Sequence, residues 1–191
     1  LLLCAAAASL IQAFFISRIR RTGAKNYPRC PSQEHLPGVS VIVCAKNEAE
    51  NLNKLIPEIL NQRHSNFELI LVNDHSSDQT QQVVEQWEKR DPRVRTFTLK
   101  EQFKTPGKKA ALSFGISQAA HDLLLLTDAD CLPASADWID LMTSPLRANK
   151  SVVLGYGGYI KTSGVLNSVI RFETTLTAGL FLGQALAGHP Y

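Results

Sequence analysis

Several common chemistries leave no mark on this chain. Its four cysteines, Cys4, Cys30, Cys44 and Cys131, stand far apart with no CxxC pair, so they read as small buried or solvated thiols in a reducing compartment. The five histidines, His35, His64, His75, His121 and His189, share no metal-ligand spacing, and no zinc site is expected. No GxGxxG follows the first expected strand, and no Gly-x4-Gly-Lys-Ser/Thr stretch occurs, which argues against a dinucleotide-dependent oxidoreductase and a P-loop enzyme. Without a GxSxG elbow, Ser-His-Asp catalysis is also unsupported. The net charge is only +3, and much of the basic excess sits in clusters such as Arg18, Arg20 and Arg21 rather than in a stripe interleaved with aromatics. No nucleic-acid partner is expected.

What is present is ordinary for a folded protein. The 191 residues are 45% hydrophobic and 19% charged, enough for one domain with a sizeable core and an appendage. The first sixteen residues are almost wholly apolar and precede the basic group Arg18 to Arg21. They read as the latter part of a transmembrane helix, a few residues short of the roughly 20 that a bilayer requires. A signal peptide fits less well, because its basic residues should precede the apolar run. Basic residues after the span favour the cytoplasmic side, so residues 1–21 are expected to tether a soluble domain to the cytoplasmic face of the cell membrane. Residues 22–38 hold three prolines and two glycines without apolar periodicity and read as a linker.

From Val39 onward, compact apolar runs alternate with helical patterns. Val39 to Ala45, Phe67 to Asn73, Val94 to Leu99, Leu123 to Thr127 and Val152 to Tyr156 are the expected strands. The expected helices are Ala49 to Asn61, Asp78 to Lys89, Lys108 to Ala119, Ser135 to Ala148 and Leu166 to Leu186. This alternation predicts an α/β fold, a mostly parallel Rossmann-like sheet with helices on both faces, over residues 39–191. The last helix is amphipathic in its N-terminal half and short of a span thereafter, so it should pack or lie along a membrane rather than cross it.

In such sheets ligands bind beyond the carboxyl ends of the strands. Three of these exits carry acids: Lys46-Asn47-Glu48, Asn73-Asp74-His75-Ser76-Ser77-Asp78 and Asp128-Ala129-Asp130. If the last tripeptide is extended, Asp128 and Asp130 point the same way and could face one magnesium or manganese ion with a diphosphate. Each acid also has a plainer reading, as a helix cap or an Asx turn, but together they make a surface that requires a cation. Gly107-Lys108-Lys109 opens the third helix with two cations where the dipole disfavours them, which suggests a phosphate contact or an ordered loop.

Taken in order, Val39 to Glu48, Val72 to Thr80, Gly107 to Leu112 and Thr127 to Asp130 resemble the family 2 glycosyltransferases. The resemblance implies an A-type glycosyltransferase fold and a metal-dependent, inverting transfer from a nucleotide-diphosphate-sugar to a hydroxyl of a glycan or lipid-linked acceptor. It implies that Asp74 contacts the donor base, that Ala45 and Glu48 line the nucleoside, and that Lys109 stands near the phosphates. It further implies that Asp128 and Asp130 bind Mn2+ or Mg2+ and the diphosphate. Uridine is the expected base on family grounds. The family's catalytic base lies on a later segment, which places it beyond Tyr191 and leaves it unassigned here. These residues alone are therefore expected to bind donor and transfer sugar poorly; robust turnover would refute that. The alternative is a non-catalytic nucleotide-sugar-binding or scaffold module.

Overall fold

The computed structural model describes residues 13, 14, 17, 37–99, 107–148 and 152–186. The expected membrane segment and linker lie outside these, apart from residues 13, 14, 17, 37 and 38. Among the described residues no helix is long and apolar enough to cross a membrane. The chain divides into two compact units, parting between Val153 and Leu154.

The larger unit is built on four parallel strands, β1 (Val39–Ala45), β2 (Phe67–Asn73), β3 (Val94–Thr98) and β4 (Leu123–Asp128), in the order β3-β2-β1-β4. β1 and β2 are the central pair. Their near-continuous apolar sequences suit strands covered on both faces, and all of β2 is buried. Helices α1 (Ala49–Leu60), α2 (Thr80–Arg90), α3 (Lys108–Ser117) and α4 (Trp138–Thr143) connect or follow them, with a 3₁₀ turn at Ser144–Ala148.

Side-chain alternation along the strands divides the core in two. Val41 and Val43 of β1, Leu69 and Leu71 of β2 and Leu125 of β4 pack with Leu52, Leu55, Ile56 and Ile59 of α1, Val84 of α2 and Ile139 of α4. Ile42, Ile70 and Val72 point to the other face, where they meet Ala111 of α3. That helix approaches the sheet closely. A Cβ on Gly115 would stand 2.7 Å from Cγ2 of Ile42 and 3.1 Å from Cγ2 of Val72. Gly115→Val should therefore cost about 1–3 kcal/mol of stability through overpacking, read as a fall in urea midpoint. An unchanged midpoint would mean that the helix can lift away freely.

Two expectations about strands need correction. An apolar run such as Leu123 to Thr127 reads as a strand buried on both faces, yet Leu126 is 47% exposed, and among the described residues β4 pairs only with β1. Val152 to Tyr156 forms no strand; Val152 and Leu154 are 74% and 73% exposed. The run is apolar, but Gly155 interrupts it and Gly157 and Gly158 follow it, and glycine weakens a strand.

In the second unit, α5 (Val165–Leu186) follows a segment without regular structure. The Asn167 side chain holds the approach to it, accepting from the Thr162 amide at 3.0 Å and donating to the Ile160 carbonyl at 3.1 Å. Val165, Leu166 and Phe172 are exposed.

Candidate functional site

The strand order sets where a ligand can sit. From β1 the chain steps to β2 and β3 on one side, then returns through α3 to place β4 on the other side of β1. The order of the strands thus reverses between β1 and β4, the place at the carboxyl edge of such a sheet where a ligand crevice is expected. A cavity of about 330 Å³ lies there. The β1 exit gives it Cys44, Ala45, Lys46 and Glu48, and β2 gives Asp74. The start of α3 gives Gly107 and Lys108, and the β4 exit gives Asp128, Ala129 and Asp130.

The β1 and β2 exits are tied into one wall. Asn47 and His75 both take left-handed backbone, with φ of 58° and 55°, a conformation that non-glycine residues adopt mainly in turns or at functional sites. The Asn47 side-chain carbonyl accepts from the Ser77 amide at 2.8 Å, and the Asn47 amide donates to the Ser76 hydroxyl at 2.9 Å. Thr80 Oγ1 accepts from the Glu48 amide at 2.9 Å. Asp78 accepts from the amides of Ala49 and Thr80, at the starts of α1 and α2. The Thr80 hydroxyl, followed by those two amides, holds the Asp78 carboxyl below its usual range.

Asp74 is buried against this wall. Its amide donates to the Ala45 carbonyl at 2.9 Å, and its Oδ1 meets Nδ1 of His75 at 3.0 Å. The carboxylate thus stands at a fixed place beside Ala45, with one oxygen engaged from the side. Glu48 is half-buried and accepts from Nδ2 of Asn51 at 2.6 Å.

On the opposite side β4 ends in a turn. The Cys131 amide donates to the Asp128 carbonyl at 3.1 Å, so Asp128-Ala129-Asp130-Cys131 is not extended. The donor atoms of Asp128, Asp130 and Cys131 nevertheless lie within 4.8 Å of one another. A turn, rather than strand alternation, brings the two aspartates together. Two carboxylates at this spacing suit a hard divalent cation that fills its remaining positions with phosphate oxygens and water. Burial, with Asp130 and Asp128 nearby, pushes the Cys131 thiol above its usual value, which keeps it a poor ligand beside them. Burial likewise pushes the Cys44 thiol up to about 11, so it lines the cavity as a neutral group.

Lys108 reaches across from α3. Its Nζ lies 2.6 Å from Oδ1 of Asp128, and that hydrogen bond raises the lysine above its usual value. The lining as a whole sets four carboxylates against two ammonium groups, a surface hostile to a bare diphosphate and receptive to one that arrives with a cation.

Of the residues singled out in the sequence, Ala45, Glu48, Asp74, Asp128 and Asp130 all line the one cavity. Lys109 is exposed on α3 and is not among the lining residues; its neighbour Lys108 is. Lys46 and Cys44 were not singled out as lining residues, although Lys46 stands in the β1 exit whose polarity pointed to the site; Cys44 lies within β1 itself.

The glycosyl transferase family 2 model matches residues 40–183. The chain belongs to that family. It is 31% identical over 140 residues to an uncharacterized glycosyltransferase of Haemophilus influenzae, covering 71% of this chain and 42% of the relative. It is 27% identical over 174 residues to a poly-beta-1,6-N-acetyl-D-glucosamine synthase of Staphylococcus aureus, covering 84% of this chain and 41% of that protein. Among solved structures, the mannosyltransferase PcManGT from Pyrobaculum calidifontis, in complex with GDP-Man and Mn2+, matches with a TM-score of 0.61 at 25% identity. The match covers 73% of this chain and 41% of that one. The family 2 chain thus spans about two fifths of the length of these relatives.

Proposed function

We propose that this family 2 protein binds a nucleotide-diphosphate-sugar in the cavity at the β1/β4 crevice and takes part in moving the sugar, with inversion, to a hydroxyl of a glycan or lipid-linked acceptor. The observation that carries this reading is the convergence of Asp74, Glu48, Asp128, Asp130 and Lys108 on one cavity of about 330 Å³ at the switch point of the sheet. Asp74, buried and held by His75, has the place and charge to accept an N–H from the donor base. Ala45 and Glu48 line the nucleoside beside it. Asp128 and Asp130 are the residues that would hold Mn2+ or Mg2+, which when bound offsets negative charge growing on the leaving diphosphate. Lys108 adds a movable cation on the same side, and Lys109, one residue on, could serve the outer phosphate.

Uridine diphosphate is the first donor nucleotide to test; guanosine diphosphate is the second, because the mannosyltransferase of similar fold is bound to GDP-Man. The apolar residues before Arg18 and the basic group that follows them support a tether to the cytoplasmic face of the cell membrane.

Calorimetric titration of the full chain with UDP, with and without Mn2+, tests the reading. Binding that weakens at least roughly tenfold when the metal is chelated is expected from the charge of the lining. A folded protein that binds neither UDP nor GDP in the presence of Mn2+ would overturn it. Metal-dependent binding by a full-length protein that never transfers sugar would leave the binding-module alternative in its place.

A further inference from the structure

Lys108 and a divalent cation would claim the same atom. The lysine Nζ is bonded to Oδ1 of Asp128 at 2.6 Å, and Asp128 is one of the two carboxylates that could hold the metal. Packing does not lock this ion pair: the two side chains are 69% and 54% exposed, and exposed pairs of this kind are weak and exchangeable. The base of the lysine is fixed, by contrast. Lys108 is the first residue of α3, directly after Gly107 at φ +141°, with the cavity before it. A side chain with a fixed root and a free end can trade one oxygen partner for another within the cavity.

We infer that Lys108 is an exchangeable counter-ion that couples metal binding to diphosphate binding. It holds Asp128 in competition with the divalent cation and passes to the phosphate oxygens when cation and diphosphate arrive together. The inference rests on the donor-site reading above and adds a specific thermodynamic consequence. A metal entering alone must displace an ammonium and then sit beside it. A diphosphate entering alone meets four carboxylates against two ammonium groups. Entering together, the metal takes Asp128 and the displaced lysine finds an anion, so each ligand strengthens the other by the same factor.

The test is a set of titrations on the full chain: Mn2+ alone, UDP alone, and UDP at saturating Mn2+, by calorimetry with free Mn2+ followed by electron paramagnetic resonance. Lys108→Met should tighten Mn2+ in the absence of nucleotide by roughly three- to tenfold and weaken UDP at saturating Mn2+ by about tenfold. The two changes have opposite signs, which a merely structural lysine would not produce. Lys108→Arg, which keeps the charge, should retain the strong coupling of the wild type. A thermal melt checks that the exposed substitutions leave the fold unchanged. If the wild type binds Mn2+ and UDP cooperatively and Lys108→Met leaves the Mn2+ affinity unchanged or weaker, the exchange is overturned while the donor site stands. If the folded wild type binds neither Mn2+ nor UDP with Mn2+, the donor-site reading falls and takes the exchange with it.

Discussion

Asp130→Ala should leave the protein folded and weaken Mn2+-dependent nucleotide binding by about a hundredfold or more, since first ligands matter at least as much as the outer partners whose loss costs about 10–100-fold. Asp130 lies exposed in the turn after β4, where its Oδ1 meets the Cys131 thiol at 3.6 Å. Nothing in the core leans on it, so the loss would be one of function. Asp128→Asn should behave differently, because it also releases Lys108 from its 2.6 Å partner. The freed ammonium can then meet the diphosphate directly in a less negative cavity, so metal-independent UDP binding should rise while metal-dependent binding falls. Calorimetry paired with thermal melts reads both variants. An Asp130→Ala protein that still binds UDP in a Mn2+-dependent manner at the original affinity would place the metal elsewhere.

The largest stability effect is expected at the other end of the sheet. Glu68, buried in β2, accepts from the Ser40 hydroxyl of β1 at 2.6 Å, from Arg95 of β3 at 2.7 Å and from the Ala120 amide just before β4 at 2.6 Å. The Ser40 oxygen in turn accepts from the His121 amide at 3.1 Å. One carboxylate thus ties all four strands at their starts. Glu68→Ala strands a fully buried hydroxyl and an amide, and should cost about 2–4 kcal/mol, read as a lower urea midpoint at pH 7.

That effect carries a pH signature. Burial alone would raise the Glu68 carboxyl, but the hydrogen bonds from Ser40, Ala120 and Arg95 outweigh it and hold the group below its usual value. A carboxyl that is more acidic in the folded protein than in the unfolded chain stabilises the fold above its unfolded pKa. The contribution is lost as pH falls through the lowered folded value. The gap between wild type and Glu68→Gln should therefore be largest near neutrality and narrow in acid. A gap that widens in acid would mean that the carboxyl is not held ionised.

The central sheet was legible because its physics is local. β1 and β2 match the expected Val39 to Ala45 and Phe67 to Asn73, since an unbroken buried run bounded by polar exits has few other solutions. The apolar stretch from Val152 misled because periodicity cannot say whether a run has a strand to pair with, and no strand pairs with this one among the described residues. Ser135 to Ala148 looked like one helix, yet α4 spans only Trp138–Thr143 before tightening to a 3₁₀ turn that contains Pro145. Proline there removes a donor that a continuing helix would need.

At the site, residue types were legible and geometry was not. The acid-bearing exits share one cavity, as the rule for α/β sheets leads one to expect. The means by which Asp128 and Asp130 meet is a turn closed by the Cys131 amide, which no alternation rule supplies. Whether Lys108 or Lys109 faces the cavity depends on the phase of α3, since adjacent helical residues point about 100° apart, and two adjacent lysines carry no phase information. The Glu68 network had a signal that passed unused: an acid inside the apolar strand Phe67–Asn73 with an arginine in Val94–Thr98, where burial of a charge demands partners.

The most direct test is a crystal structure of the full-length protein with UDP and Mn2+. The predicted result is a metal bound by Asp128, Asp130 and the diphosphate, the base against Asp74, and Lys108 drawn from Asp128 to a phosphate oxygen. Nucleotide seated away from the β1/β4 crevice, or a metal held by neither Asp128 nor Asp130, would contradict the donor-site reading.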